Sequence, residues 1–93
     1  LPVAEAERLG LVNKVVPRDE LAATAGEWAG RLASGPTKAL GLSKWLLNQS
    51  FDVDRATVVS KEAIAVELNT HSEDFAEGMA SFRERRDPVW RGY

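Results

Sequence analysis

Residues 11–16, with the sequence Leu-Val-Asn-Lys-Val-Val, most constrain what this chain can form. Three of the six are β-branched valines and Pro17 follows them, which predicts a β-strand. No second segment of the 93 residues has this character. A single strand cannot form a sheet, because its backbone N–H and C=O groups need a neighbouring strand. We therefore expect the partner strand to lie in a missing part of the protein or in another chain.

The rest of the chain predicts helices, from apolar residues at helical spacing and from capping residues. The predicted helices cover residues 3–9, the segment between the cap Asp19 and Ser34-Gly35, residues 36–49, residues 53–69, and the segment from the cap Ser72 to Pro88. The predicted fold class is mostly α, with about five helices and one short strand.

The last predicted helix contains an unfavourable glycine. Gly78 costs about 1 kcal/mol relative to alanine inside a helix, so another group is expected to approach the backbone there. Phe75, Met79 and Phe82 fall at i, i+4 and i+7 and form one apolar face. This helix is either an ordinary core helix or a lid helix that contacts a phosphate.

The end of the same helix is rich in arginine. Arg83, Arg85 and Arg86 place cations near the negative end of the helix dipole. Guanidinium groups bind phosphate through charge-assisted hydrogen bonds, so they are candidates for holding a phosphate-bearing ligand. Surface ion pairs with Glu84 and Asp87 are the alternative, and composition does not decide between the two.

Other side chains offer weaker candidates for chemistry. His71 is the single histidine and has no cysteine or second histidine with which to act as a catalytic base or metal ligand. Glu73, Asp74 and Glu77 either form an acid–base pair or simply complement the helix dipole. Residues 35–38 lack the two-glycine spacing of a phosphate loop. Because the chain has no cysteine and no second histidine, we expect no metal site.

Bulk composition narrows the function classes. The formal net charge is −2, which argues against a nucleic-acid binder. The chain has no cysteine, which fits a reducing compartment, and no apolar run near the roughly 18 residues of a membrane span. We expect a cytoplasmic protein. The chain starts with Leu1-Pro2 and not with methionine, so we also expect it to be an incomplete piece.

Four segments in order resemble one family. They are residues 4–6 followed by 10–17 (Gly-Leu-Val-Asn-Lys-Val-Val-Pro), residues 32–39 with Lys44, residues 62–63, and residues 74–82 followed by 85–88. Together they resemble the crotonase family of enoyl-CoA hydratases and isomerases. The resemblance covers essentially the whole chain.

The resemblance implies a fold and an assembly. Family members have a core of ββα units wound into a spiral, followed by a helical C-terminal region. Residues 1–17 would be the last helix and strand of that α/β core. Residues 18–93 would be the helical region, which covers the active site and contributes to a homotrimer or a dimer of trimers.

The resemblance also implies a function. The parent enzyme, a lyase of fatty acid metabolism, would hydrate 2,3-enoyl-CoA, with a coenzyme A thioester as substrate and no cofactor. Its oxyanion hole and catalytic glutamates would lie upstream, so the resemblance places no catalytic residue in this chain, and the fragment alone would be inactive. Phe82, Arg85 and Arg86 would contact CoA. A non-catalytic helical oligomerisation or interaction module is the alternative.

Overall fold

The computed structural model describes all residues, 1–93, and contains helices but no strand. This confirms the prediction of a mostly α chain with five helices. A short 3₁₀ turn, Arg18–Glu20, precedes the second helix, so Asp19 lies in that turn rather than at a cap. The α-helices are α1 (Val3–Arg8), α2 (Leu21–Ala33), α3 (Thr37–Gln49), α4 (Arg55–Thr70) and α5 (Glu73–Glu84).

The predicted strand over residues 11–16 is wrong for this chain, which forms no strand there. The segment follows Gly10, whose positive φ of 72° turns the chain after α1. The Leu11 amide donates to the Ala6 carbonyl at 2.9 Å, and the Val15 amide donates to the Glu7 carboxylate at 2.9 Å. Valine-rich composition favours an extended backbone, but a ladder needs a partner strand, and these 93 residues supply none.

The chain divides into two units, Leu1–Gly30 and Arg31–Tyr93. In the second unit α3 packs against α4, and α4 packs against α5. Asp54 caps α4 and accepts hydrogen bonds from the Thr57 amide and hydroxyl, both at 2.9 Å. The α3–α4 contact includes Lys61, whose ammonium donates to the Gln49 side chain and lies 5.8 Å from the centre of the Trp45 ring.

Very little of the apolar surface is covered within the chain. Ala65 is the one buried hydrophobic residue, and the other buried residues are Ser72, Asp74 and Ser81. The accessible surface is 7565 Å², whereas a folded monomer of this mass exposes about 5300 Å². Both Trp28 and Trp45 are more than a third exposed. The helices therefore leave apolar faces uncovered.

The side chains of α4 show this most clearly. Val59, Ile64, Val66 and Leu68 are each more than half exposed, although they lie on different sides of the helix. A helix with apolar residues all around is typical of the interior of a larger protein. None of the helices is both long and apolar enough to cross a membrane.

Candidate functional site

The candidate site lies where α5 ends, and the backbone there is unusual. Arg85 adopts the left-handed conformation, with φ 54° and ψ 43°, and is the one non-glycine residue with positive φ. The Arg85 amide donates to the Phe82 carbonyl at 3.4 Å, and the Arg86 amide donates to the Ser81 carbonyl at 3.1 Å. This pair of bonds is the Schellman motif, which ends helices and strongly favours glycine at the left-handed position.

The side chain of Arg86 is bound within the chain. Its two terminal nitrogens donate to the two oxygens of the Glu77 carboxylate at 2.5 and 2.9 Å. Its Nε donates to Glu84 at 2.6 Å. These contacts hold the pKa of Glu77 at about 2, well below its usual 4.5, chiefly because Arg86 donates to the carboxylate and secondly because the Val89 amide does. The sequence left two roles open for the arginine cluster, phosphate binding and surface ion pairing. Arg86 takes the second role and forms intramolecular ion pairs.

The side chain of Arg85 differs from that of Arg86. It is exposed and takes part in none of the hydrogen bonds or ion pairs that surround this end of the helix. Phe82, one turn earlier, is 82% exposed. An unpaired guanidinium can bind a phosphate, and an exposed aromatic ring can pack against a planar group. Phe82 and Arg85 are therefore accessible to a ligand, as is Arg83, which is also exposed and forms no ion pair.

Past Arg85 the chain turns back and lies along α5. We call residues 87–93 the C-terminal strap. The buried Asp74 carboxylate accepts hydrogen bonds from the Arg91 amide at 2.7 Å and the Gly92 amide at 2.8 Å. The Val89 amide donates to Glu77 at 2.8 Å. Asp74 and Glu77 thus bind backbone N–H groups of the strap, which is a structural use and not an acid–base pair.

The strap also explains the glycine in α5. A Cβ atom placed on Gly78 would lie 3.3 and 3.5 Å from two ring carbons of Trp90. The prediction that another group approaches the backbone at Gly78 is therefore confirmed, and that group is the indole of the strap.

The apolar face predicted for α5 is only partly covered. Phe75 is 37% exposed and Met79 is 50% exposed, and both line a cavity with Ala39 of α3 and Trp90 of the strap. Phe82, at the end of the same face, is open. A cleft of about 650 Å³ lies on the strap side, where Glu73, Asp74, Glu77, Arg86 and Arg91 contribute to its lining. Phe82 and Arg85 are not part of that cleft.

The remaining candidates show no catalytic arrangement. His71 ends α4, its Nδ1 lies 2.8 Å from the Glu67 carbonyl, and its side chain is 71% exposed. No group of three or more His, Cys, Asp or Glu side chains could hold a metal ion. Sequence reasoning missed the roles of Asp74 and Glu77. Their i, i+3 spacing on a helix that precedes Pro88 is the available signal, but it also fits a dipole interaction.

Comparison with known proteins places the chain in a family. The family model for enoyl-CoA hydratase/isomerase matches residues 1–93. The crotonyl-CoA hydratase of Syntrophomonas wolfei is 42% identical over 82 residues, which are 88% of this chain and 32% of the relative. The short-chain-enoyl-CoA hydratase of Clostridium acetobutylicum is 39% identical over 82 residues, covering 88% of this chain and 31% of the relative.

Solved structures agree with these relatives. An enoyl-CoA hydratase structure (subunit I) from Geobacillus kaustophilus matches with a TM-score of 0.96 at 38% identity, covering 100% of this chain and 36% of that one. Enoyl-CoA hydratase from Bacillus anthracis matches with a TM-score of 0.85 at 36% identity, covering 97% of this chain and 35% of that one. The chain spans about a third of the length of the proteins it matches. Since the family model matches from the first residue to the last, the chain belongs to the enoyl-CoA hydratase/isomerase family.

Proposed function

We propose that this chain is the C-terminal part of an enzyme that hydrates 2,3-enoyl-CoA thioesters. The observation that carries the proposal is the exposed, unpaired guanidinium of Arg85, three residues after the exposed Phe82, in a chain that matches the enoyl-CoA hydratase/isomerase family model from residue 1 to residue 93. Hydratase relatives such as crotonyl-CoA hydratase support this reaction over isomerisation. The substrate would be the CoA thioester itself, with no further cofactor. A cytoplasmic location and a role in fatty acid metabolism belong to the same proposal.

The division of labour within the complete enzyme is part of the proposal. Residues 1–17 would close the spiral core, and residues 18–93 would cover the acyl-CoA site and contribute to a homotrimer or a dimer of trimers. The uncovered apolar faces of α4 support this, since such faces need a partner surface. The oxyanion hole and the acid–base groups would come from the rest of the protein, so this segment alone would be inactive.

The activity is tested with crotonyl-CoA. We expect the full-length protein that contains this segment to hydrate crotonyl-CoA, seen as loss of the conjugated enoyl absorbance, and the 93-residue chain to show no turnover above a buffer control. A full-length protein that binds crotonyl-CoA but isomerises or hydrolyses it would refute hydration. Turnover by the 93-residue chain alone would refute the absence of catalytic groups.

The same exposed apolar faces favour a second candidate, a non-catalytic oligomerisation or interaction module. A module of this kind would bind its partner through α4 with no affinity for CoA. Equilibrium binding of CoA to the full-length protein separates the two functions, because only the enzyme needs a CoA site.

For the binding site we propose that Phe82, Arg85 and Arg86 lie against CoA. Arg85 would bind the 3′-phosphate directly and Phe82 would pack beside the nucleotide. Arg86 would add positive charge while its own donors remain on Glu77 and Glu84. The exposure of Phe82 and the absence of an intramolecular partner for Arg85 support these roles.

The contact with phosphate has a direct test. Arg85→Ala should weaken binding of CoA about tenfold, because a hydrogen-bonded charge pair is lost, and should leave binding of 3′-dephospho-CoA nearly unchanged. Arg83→Ala is the matched control, since Arg83 is another exposed arginine of the same helix end without an ion pair. Equal losses for both ligands, or equal effects of the two variants, would refute the assignment to Arg85.

A further inference from the structure

We infer that Glu77 is a positioning residue for Arg85: by binding the guanidinium of Arg86 and the amide of Val89, it fixes the chain that follows Arg85 and keeps Arg85 in its left-handed conformation. This inference rests on the proposed CoA-binding role of Arg85. It assigns to Glu77 a function that neither the helix dipole nor the family match provides.

The backbone conformation of Arg85 needs support from its surroundings. A left-handed conformation is unfavourable for any residue with a Cβ atom, by about 1–2 kcal/mol. Such a conformation persists where the surrounding contacts over-determine it. Two helix-ending hydrogen bonds support the turn, from the Arg85 amide to Phe82 at 3.4 Å and from the Arg86 amide to Ser81 at 3.1 Å. Both lie at the turn itself, so contacts further along the chain add a separate constraint.

Glu77 supplies these contacts. Its two oxygens accept both terminal nitrogens of Arg86, the residue directly after Arg85. One of the same oxygens accepts the Val89 amide, four residues after Arg85. The Glu77 side chain is 22% exposed, less than those of Arg86 and Glu84. One side chain from the middle of α5 thus binds the chain at two points beyond the turn.

The geometry also explains why two adjacent arginines behave differently. Glu77 binds the side chain of Arg86 against α5. Arg85, which lies between the end of α5 and Arg86, keeps its side chain exposed and unpaired. If Glu77 released Arg86, residues 85 and 86 would lose the constraint that distinguishes the free cation from the bound one. The charge of Arg85 would remain, but its position would spread over several rotamers and backbone states.

The experiment compares CoA with 3′-dephospho-CoA in the full-length protein, by titration calorimetry. The quantity measured is the dissociation constant of 3′-dephospho-CoA divided by that of CoA. The two ligands differ only in the 3′-phosphate, so a change that weakens both equally leaves this ratio unchanged. Glu77→Gln retains the shape of the side chain but cannot form the charged bidentate pair. We expect it to reduce the ratio at least about threefold.

Two further variants complete the test. Glu84→Gln is the matched control: it also removes a carboxylate bound to Arg86, but one with no contact to the strap, and we expect a change below about twofold. Glu77→Asp keeps the charge with a shorter reach. It should fall between the parent protein and Glu77→Gln, and it keeps the test decisive if Glu77→Gln fails to fold.

The double variant Glu77→Gln/Arg85→Ala separates the inference from the proposed function. We expect the same ratio as for Arg85→Ala alone, because a positioning residue has no effect once the residue it positions is gone. A reduced ratio for Arg85→Ala with no change for Glu77→Gln and Glu77→Asp would overturn the inference and leave the CoA contact intact. An unchanged ratio for Arg85→Ala would overturn the CoA contact itself, and the inference with it.

Discussion

Replacing Arg85 by glycine should make the end of α5 more stable while it weakens CoA binding. The left-handed conformation costs an arginine about 1–2 kcal/mol, and glycine adopts it freely. The greater flexibility of glycine in the unfolded chain returns roughly 0.4–1 kcal/mol of that gain. The net expectation is a stabilisation of about 1 kcal/mol, or a roughly fivefold larger equilibrium constant for forming this helix end.

The reference for this measurement is Arg85→Ala, which removes the same guanidinium but keeps the backbone strain. Native-state amide exchange in α5, followed in the full-length protein, should be about fivefold slower for Arg85→Gly than for Arg85→Ala. Both variants should lose the preference for CoA over 3′-dephospho-CoA. Equal exchange rates would show that the conformation at Arg85 carries no strain. Retained preference in either variant would show that its guanidinium does not bind the phosphate.

Two other predictions concern α3, α5 and the strap. Gly41→Ala should stabilise α3 by about 1 kcal/mol, because a Cβ there meets nothing within 4 Å, whereas Gly78→Ala should stabilise α5 less, since its Cβ would lie 3.3 Å from Trp90. Equal slowing of amide exchange in the two helices would contradict the close contact. The pKa of Glu77 is lowered to about 2 in the folded chain, so its contribution to stability is complete above pH 4.5 and is lost as the pH falls towards 2. The NMR signal of the Val89 amide, which donates to Glu77, should follow the protonation of this carboxylate in an acid titration. A transition centred near pH 4.5 would refute the lowered pKa.

The helices were predictable because their signals are local. Ser72 caps α5 by accepting the Phe75 amide at 3.0 Å, as the sequence predicted, and α4 begins within two residues of its predicted start. Caps and helical spacing act within one or two turns, so a single sequence contains them in full. The family could likewise be predicted from the sequence, because its motifs are distributed over the whole chain.

The strand and the strap required information that is not local. Residues 11–16 have the composition of a strand, but strand formation depends on a partner that these residues do not contain. The strap depends on Asp74 and Glu77 meeting amides 12 to 18 positions away. Gly78 gave the one hint of a close approach, but no residue near it identified Trp90 as the group that approaches.

The most direct test of the central claim, that these helices are completed by the rest of a larger enzyme, is urea unfolding of the isolated 93-residue chain followed by circular dichroism. With Ala65 as its one buried hydrophobic residue, the chain should lose helix gradually, with a slope well below the roughly 1–3 kcal/mol/M of small cooperative domains. A sharp two-state transition with a midpoint independent of chain concentration would contradict the account, because it would mean that the chain is a complete domain on its own.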